Sequence, residues 1–267
     1  AILKHLGINF LEYSYFDTKT CEVDFDSMIN DLQNMKSGDV LLLHGCCHNP
    51  TGANLSKENW AELTNFCLDK NIVPLVDLAY QGFGDGINED VYGLQNMASN
   101  LPEMCIAVSC SKNFGLYRER VGASLIVVSD KNRRQIALDN LKSFNRLTFS
   151  FPPDFGASLV DIVLSKDGSD KTPLVLSWQN ELTQMRLRML NLRTSLADLL
   201  RRSTNSNRFD FVARHRGMFS LLGLTPDEVL RLRKEYRIYM VGDSRINLAG
   251  LNHSQLEHFS LAVASVI

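Results

Sequence analysis

The sequence predicts an α/β protein with a mostly parallel sheet, followed by a smaller α+β unit reached through one long helix. Three observations carry this. Short apolar runs at 39–44, 72–77, 105–109 and 123–128 read as buried strands, and helical stretches separate some of them. Trp178, Leu182, Met185, Met189, Leu192, Leu196 and Leu199 then alternate by four and three residues, the apolar face of one helix. Beyond it the pattern breaks into short mixed elements.

The elements follow in order. The first residues, Ala1 to Gly7, read as the second half of a helix stopped by glycine. Asp39-Val-Leu-Leu-Leu-His44 is a strand, and Asn49-Pro-Thr-Gly52 a turn. Ser56 is placed to cap a helix running to Lys70, with Leu55 and Trp60 at hydrophobic-staple spacing. Ile72 to Asp77 is the next strand, 89–100 a helix, Cys105 to Ser109 and Ala123 to Val128 two more strands, and 130–145 a helix. The long helix is expected over 175–202. Phe209-Asp-Phe-Val-Ala, Tyr236 to Val241 and Ile246 to Ala249 read as strands, and Asp227 to Glu235 and Ser254 to Val266 as helices. The expected division is a large domain over 1–178 and a small domain over 179–267.

Composition narrows the function. With 45% hydrophobic residues in 267, a substantial core is within reach. A formal net charge of −2 gives no reason to expect a nucleic-acid partner. No apolar run reaches membrane-spanning length, so no membrane partner is expected. The six cysteines show no Cys-x-x-Cys spacing and mostly sit in apolar runs, which suits reduced thiols and a cytoplasmic location.

The most telling stretch is Ser109-Cys-Ser-Lys112-Asn-Phe-Gly. Its lysine follows directly on a short apolar strand, where partial desolvation favours a nucleophilic amine. Ser109, Ser111 and Arg120 supply hydroxyls and a guanidinium suited to a phosphate. Together they point to a Schiff-base lysine holding pyridoxal phosphate. Asn49, Asp77 and Lys112 all fall at or just past strand C-terminal ends, the edge where open α/β sheets bind ligands. Asp77 is suited to a pyridinium nitrogen, and Tyr80 and Asn49 to a phenolate oxygen. Arg245 opens an apolar strand and is suited to clamp a carboxylate, and Arg146, in an aromatic-rich segment, to meet a second one. Each has an ordinary alternative: a capped loop for Asp77, packing for Tyr80, plain turn chemistry for Asn49, and ion pairs for the arginines.

Competing motifs are weaker. Ser109-x-x-Lys112 fits the serine acyltransferase pattern, but Lys-Thr-Gly and Ser-Asp-Asn are missing and only Lys171-Thr-Pro is present. His44-Gly-Cys-Cys-His48 offers zinc ligands without a partner cluster, so no metal is expected. Gly242-Asp-Ser is a short echo of lipase nucleophile motifs.

Taken jointly, Asn49-Pro-Thr-Gly52, Asp77-x-Ala-Tyr80, Ser109-x-Ser-Lys112-Asn-Phe-Gly, Arg118-Glu-Arg120-Val-Gly and Ser244-Arg245-Ile-Asn-x-Ala-Gly250 resemble the class I, fold-type I pyridoxal-phosphate aminotransferases of the aspartate and aromatic group. The resemblance covers essentially the whole sequence. It implies that Lys112 bonds the cofactor and shuttles the proton, that Asp77 binds the ring nitrogen, and that Asn49 and Tyr80 hold the 3′ oxygen. Ser109, Ser111 and Arg120 would surround the phosphate, and Arg245 would bind the substrate α-carboxylate, with Asn49 and Phe219 beside it. Arg146 would reach the partner subunit's site, implying a homodimer. Asn145-Arg-x-Thr-Phe-Ser-Phe-Pro-Pro153, His215-Arg-Gly-Met-Phe219 and Met240-Val-Gly-Asp-Ser-Arg245 look most like the bacterial aromatic-amino-acid enzymes. Phe151 stands where strict aspartate enzymes usually carry asparagine, so the resemblance implies transfer from aromatic amino acids, and from aspartate, to 2-oxoglutarate. A strict aspartate enzyme is the alternative within the class. The family's N-terminal third has no counterpart here. That leads to the expectation of a fragment of a complete enzyme, or of an inactive paralogue serving as a dimerising module.

Overall fold

The structure is a computed structural model that describes residues 2–165 and 173–267. Ala1, in the expected first helix, and Lys171 lie outside the described residues.

Helix α1 (Ile2–His5) leads to a two-stranded antiparallel ribbon, β1 (Phe16–Asp17) with β2 (Glu22–Val23), and helix α2 (Phe25–Leu32). Asp24 caps α2 by accepting from the Ser27 amide. The main sheet has the order β3 (Val40–His44), β4 (Val73–Leu78), β5 (Glu103–Ser109), β6 (Gly122–Val128). The first two pairings are parallel and the last is antiparallel. The parallel strands are joined by α3 (Lys57–Lys70) and by a 3-10 turn leading into α4 (Tyr92–Asn100), the crossovers that parallel pairing demands. Ser56 caps α3 in a reciprocal box, with Asn59 in the place of the usual acid or glutamine. Trp60 is buried and lies over Gly93, where any Cβ would strike the indole, so α3 and α4 can pack this closely only with glycine there.

Helix α5 (Lys131–Phe149) and helix α6 (Phe155–Leu164) follow, then α7 (Pro173–Thr204), a single 32-residue helix. The first part of α7 packs through Leu182 and Met189 against Leu78, Tyr80 and Phe83. Its second part, from Leu192 to Leu200, packs in a separate core with Phe209, Leu248 and Phe259. Cys21, from the turn between β1 and β2, joins this second core despite its distance in sequence. The remaining elements are α8 (Phe211–Arg214), β7 (Phe219–Leu221), α9 (Pro226–Tyr236), β8 (Arg245–Asn247), a 3-10 turn over Leu248–Gly250, and α10 (His253–Val266).

Three expected strands differ. Phe209-Asp-Phe-Val-Ala is a turn and the short helix α8. Phe209, Phe211 and Val212 all enter the core, a spacing that its polar-interrupted pattern also fits. Tyr236 to Val241 does not pair. Arg237 ends α9 in the left-handed region, and Ile238 and Met240 face the core while Tyr239 and Val241 face outward, with no strand beside them among the described residues. The strand expected over Ile246–Ala249 stops at Asn247, whose side chain accepts from the Ala249 amide and turns the chain. All six cysteines are free thiols. Among the described residues no helix is long and apolar enough to cross a membrane.

Candidate active site

Parallel pairing brings the C-terminal ends of β3, β4 and β5 to one edge, with His44 in register with Asp77 and Asp77 with Ala107. The Gly45 amide extends the ladder by donating to the Asp77 carbonyl at 2.8 Å. The 45–52 turn, Tyr80 and the Ser109–Lys112 segment all leave the sheet at this edge. Asp77 is exposed there, and its charge opposes, without cancelling, the lowering of the His44 pKa that burial causes.

Tyr80 is the hub. Its hydroxyl accepts from Asn49 Nδ2 at 3.3 Å, which leaves its own proton for another acceptor. Burial pushes its pKa up, and the Asn49 bond partly offsets this. The half-buried Lys112 places Nζ over the Tyr80 ring, 4.5 Å from its centre. Asn49 Oδ1 in turn accepts from Arg245 Nη1 at 3.3 Å. The Arg245 guanidinium lies 5.4 Å from the centre of the Phe219 ring, which meets Tyr80 edge-on. Lys112, Tyr80, Asn49, Arg245 and Phe219 therefore form one continuous set of contacts drawn from both ends of the sequence.

A second group adjoins the lysine. Ser109 Oγ donates to Ser111 Oγ at 3.1 Å and accepts from the Ser111 amide at 3.2 Å, and Arg120 Nη1 donates to Ser111 Oγ at 3.4 Å. Arg120 is held in the left-handed region (φ 51°), with its head also bonded to the Tyr117 carbonyl. Two hydroxyls and a guanidinium converge as an anion site requires. Arg146 stands apart. It lies in the last turn of α5, donates to the hydroxyl and carbonyl of Ser150, and faces the Phe151 ring. Phe151 is 88% exposed.

The Asn49 turn is built from both sides. Gly52 adopts φ +80°, and a Cβ on it would run into the Phe219 carbonyl. Its own carbonyl accepts from the Arg216 amide at 2.8 Å, and Arg216 Nε pairs with Asp85 at 2.7 Å. His48 bonds Thr51 through Nδ1 at 2.8 Å and stacks on Tyr15 at 3.9 Å. Burial, with His44 beside it, pushes the His48 pKa down to about 3. His215, which joins the Cys21 carbonyl to Ser220, is pushed down to about 4 by burial, with Arg193 and Arg214 adding repulsion. The unfolded chain takes up protons on both rings below their ordinary 6.5, and the folded chain does so only near 3 and 4. Stability is therefore fully present above pH 6.5 and declines as the pH falls from there toward 4. Thermal unfolding followed from pH 7.5 to 5 should show a falling midpoint, and His215→Gln should flatten the slope. Each ring contributes about 1–2 kcal/mol at pH 5. A midpoint independent of pH over that range would contradict the burial of both rings.

Several supporting residues were not read from the sequence. Trp178, counted there only in the apolar stripe, donates from Nε1 to the Asn113 carbonyl at 2.7 Å and stacks on Phe114, tying the start of α7 to the lysine loop. Asp90 is buried and accepts from the amides of Gly82, Gly84, Asp85 and Gly86, folding the loop beyond Tyr80. Its carboxylate lies close to Cys46 and Cys47, but those four amides already occupy both oxygens. The signal for Trp178 was its place at the first turn of the stripe. Asp90 had none, because its partners are backbone groups.

A lysine, a strand-end carboxylate, a tyrosine–asparagine pair and two guanidinium groups thus stand at or beside one sheet edge. The chain belongs to the aminotransferase class I and II family, whose pattern it matches over residues 1–263. It is 49% identical over its full 267 residues to an aromatic-amino-acid aminotransferase of Paracoccus denitrificans, and it spans 66% of that protein's length. A solved aromatic amino acid aminotransferase with 3-indolebutyric acid superposes with a TM-score of 0.96 at 49% identity, over 99% of this chain and 66% of that one. The aromatic-amino-acid aminotransferase of Burkholderia pseudomallei, covalently bound to pyridoxal phosphate, superposes with a TM-score of 0.94 at 37% identity, over 99% of this chain and 65% of that one.

Proposed function

We propose that this chain carries the centre of a pyridoxal-phosphate aminotransferase that moves the amino group of aromatic amino acids, and of aspartate, to 2-oxoglutarate by a ping-pong route. The observation that carries the reading is the unbroken set of contacts from Lys112 through Tyr80 and Asn49 to Arg245. The donor set fits the cofactor. Ser109, Ser111 and Arg120 suit its phosphate, Asp77 its ring nitrogen, Asn49 and Tyr80 its 3′ oxygen, and Lys112 its carbonyl carbon. When bound, the cofactor supplies the electron sink that stabilises a substrate carbanion.

The residues divide the remaining work. Arg245 clamps the substrate α-carboxylate, with Asn49 and Phe219 fixing the angle of its head. Lys112 would serve as the base that takes the proton from the substrate Cα. Asp77 keeps a proton on the ring nitrogen. Arg146, bonded to Ser150 at the end of its own helix, meets a distal carboxylate in the partner subunit's site, so the working form is a homodimer. The division into a cofactor-binding part over 1–178 and a small domain over 179–267 is supported by the change of packing partners along α7. The six free thiols fit the cytoplasm.

Aromatic preference is supported by Phe151 and by the relatives named above. Comparing kcat/KM for phenylalanine and aspartate tests it. Both should turn over, with phenylalanine at least equal to aspartate. A protein that used aspartate and left phenylalanine untouched would be a strict aspartate enzyme.

A further inference from the structure

An arginine on the buried stripe of α7 has no counterpart in the chemistry described so far. Arg193 is 0% exposed, among Met189, Leu192, Leu196 and Ala197. Long charged side chains are almost never fully buried without a partner of opposite charge. Among the described residues, Arg193 forms no ion pair. Its partners are instead drawn from one short stretch, residues 212–220, and all but one are backbone carbonyls. Nη1 donates to the Val212 carbonyl at 3.1 Å and to Ser220 Oγ at 2.8 Å. Nη2 donates to the carbonyls of Arg216 at 3.1 Å, Gly217 at 2.8 Å and Phe219 at 2.7 Å. Nε makes no hydrogen bond. Burial lowers its pKa to about 10, so it remains a cation at neutral pH.

The stretch it gathers is the one that meets the candidate site. Gly217, at φ +78°, abuts Cys47, and the Arg216 amide holds the Gly52 carbonyl of the Asn49 turn. Phe219 opens β7, which pairs with β8 so that Leu221 faces Arg245 and Phe219 faces Asn247. Carbonyls at 216, 217 and 219 that converge on one point repel each other and could not stay together without a cation or several donors between them.

We propose that Arg193 is a positioning residue for the substrate-carboxylate site, its guanidinium gathering the 216–219 carbonyls so that Phe219 and Arg245 meet Asn49 at the required angle. This rests on the reading of Arg245 as the carboxylate clamp. Arg193 reaches the substrate only through these residues, whereas Lys112, Asp77 and Arg120 stand on elements that it does not touch. Its loss should therefore weaken substrate binding and leave the lysine and phosphate contacts of the cofactor site in place.

The test uses Arg193→Met and Arg193→Lys in the protein that carries this chain, loaded with pyridoxal phosphate. Three readouts are taken: the visible absorbance of lysine-bound cofactor, KM and kcat for phenylalanine, and amide hydrogen exchange. In Arg193→Met the absorbance should persist, KM should rise about tenfold or more, and kcat should change by less than about threefold. Exchange should quicken over 216–221 and 245–247 and stay slow over 73–78 and 103–109. Arg193→Lys, which keeps the charge but not the fork, should recover part of the KM. Unchanged KM with unchanged exchange overturns the proposal. Loss of absorbance together with protection lost throughout in both variants also overturns it, because the role is then general to the fold. If the methionine variant does not fold, the lysine variant decides, and a wild-type KM in it counts against positioning. A wild-type protein without the cofactor band would sink the aminotransferase reading, and the exchange pattern would still judge Arg193.

Discussion

Lys112→Ala is expected to abolish the visible absorbance of bound pyridoxal phosphate and to lower turnover by about four orders of magnitude or more. The size follows from two losses at one atom. Nζ is the nucleophile that would hold the cofactor, and a positioned base at the substrate Cα contributes on the order of 10²–10⁴ by itself. The geometry favours this lysine over its neighbours. Nζ of Lys112 lies over the Tyr80 ring, within the contacts that reach Asn49 and Arg245. Lys57 instead stands over Tyr92 beside a separate cavity. Lys112 also borders a cavity of about 330 Å³ walled by Trp178, Glu181, Met185 and Met218, so a small ligand has space beside it. The alanine variant should keep its fold, because Trp178 bonds the Asn113 carbonyl and Phe114 stacks on Trp178, and neither contact needs the lysine side chain. A variant that retained the absorbance would show that another amine holds the cofactor.

The main sheet and the candidate site were legible in the sequence for a shared reason. Buried parallel strands read as unbroken apolar runs, and the groups that serve a sheet-edge site follow directly at their ends. Thus Asp77 and Lys112 announce themselves through Ile72–Val76 and Ile106–Val108. Arg245 was found from the apolar run it opens, although that strand is antiparallel and ends at Asn247, two residues earlier than expected. What stayed hidden depends on partners remote in sequence. Arg193 sits at a core position of the α7 stripe, and a charge there is a visible anomaly. Its meaning is not visible, since backbone carbonyls carry no sequence signature. Segment 236–241 has strand-like alternation, but a strand needs a neighbour, and local pattern says nothing about whether one is present. The apolar outer faces of β3 and α5, with Val40, Phe144 and Leu147 exposed, are equally opaque to local pattern.

Arg245→Lys is expected to lower kcat/KM for every amino-acid substrate by about a hundredfold, close to 3 kcal/mol, while leaving the cofactor absorbance unchanged. Lysine keeps the positive charge, so the loss isolates the planar fork that grips a carboxylate through two parallel bonds. The fork is held in advance of binding. Ser244, buried and at φ 65°, receives the Leu224 amide on its hydroxyl and the Leu222 amide on its carbonyl, fixing the backbone from which Arg245 projects. The Arg245 amide is tied to Asp243 at 3.0 Å, and the guanidinium is steadied by Asn49 Oδ1 and the Phe219 ring. An ammonium at this position would be shorter, would lose the stacking on Phe219, and could not serve Asn49 and a carboxylate in the same plane. The discriminating comparison is between substrates. Because the α-carboxylate is common to all of them, phenylalanine and aspartate should lose similar factors. Arg146→Gln should instead lower kcat/KM for aspartate and for 2-oxoglutarate, which carry a distal carboxylate, and spare phenylalanine. If Arg245→Lys harmed aspartate and spared phenylalanine, Arg245 would be the distal clamp and the roles of the two arginines would be exchanged.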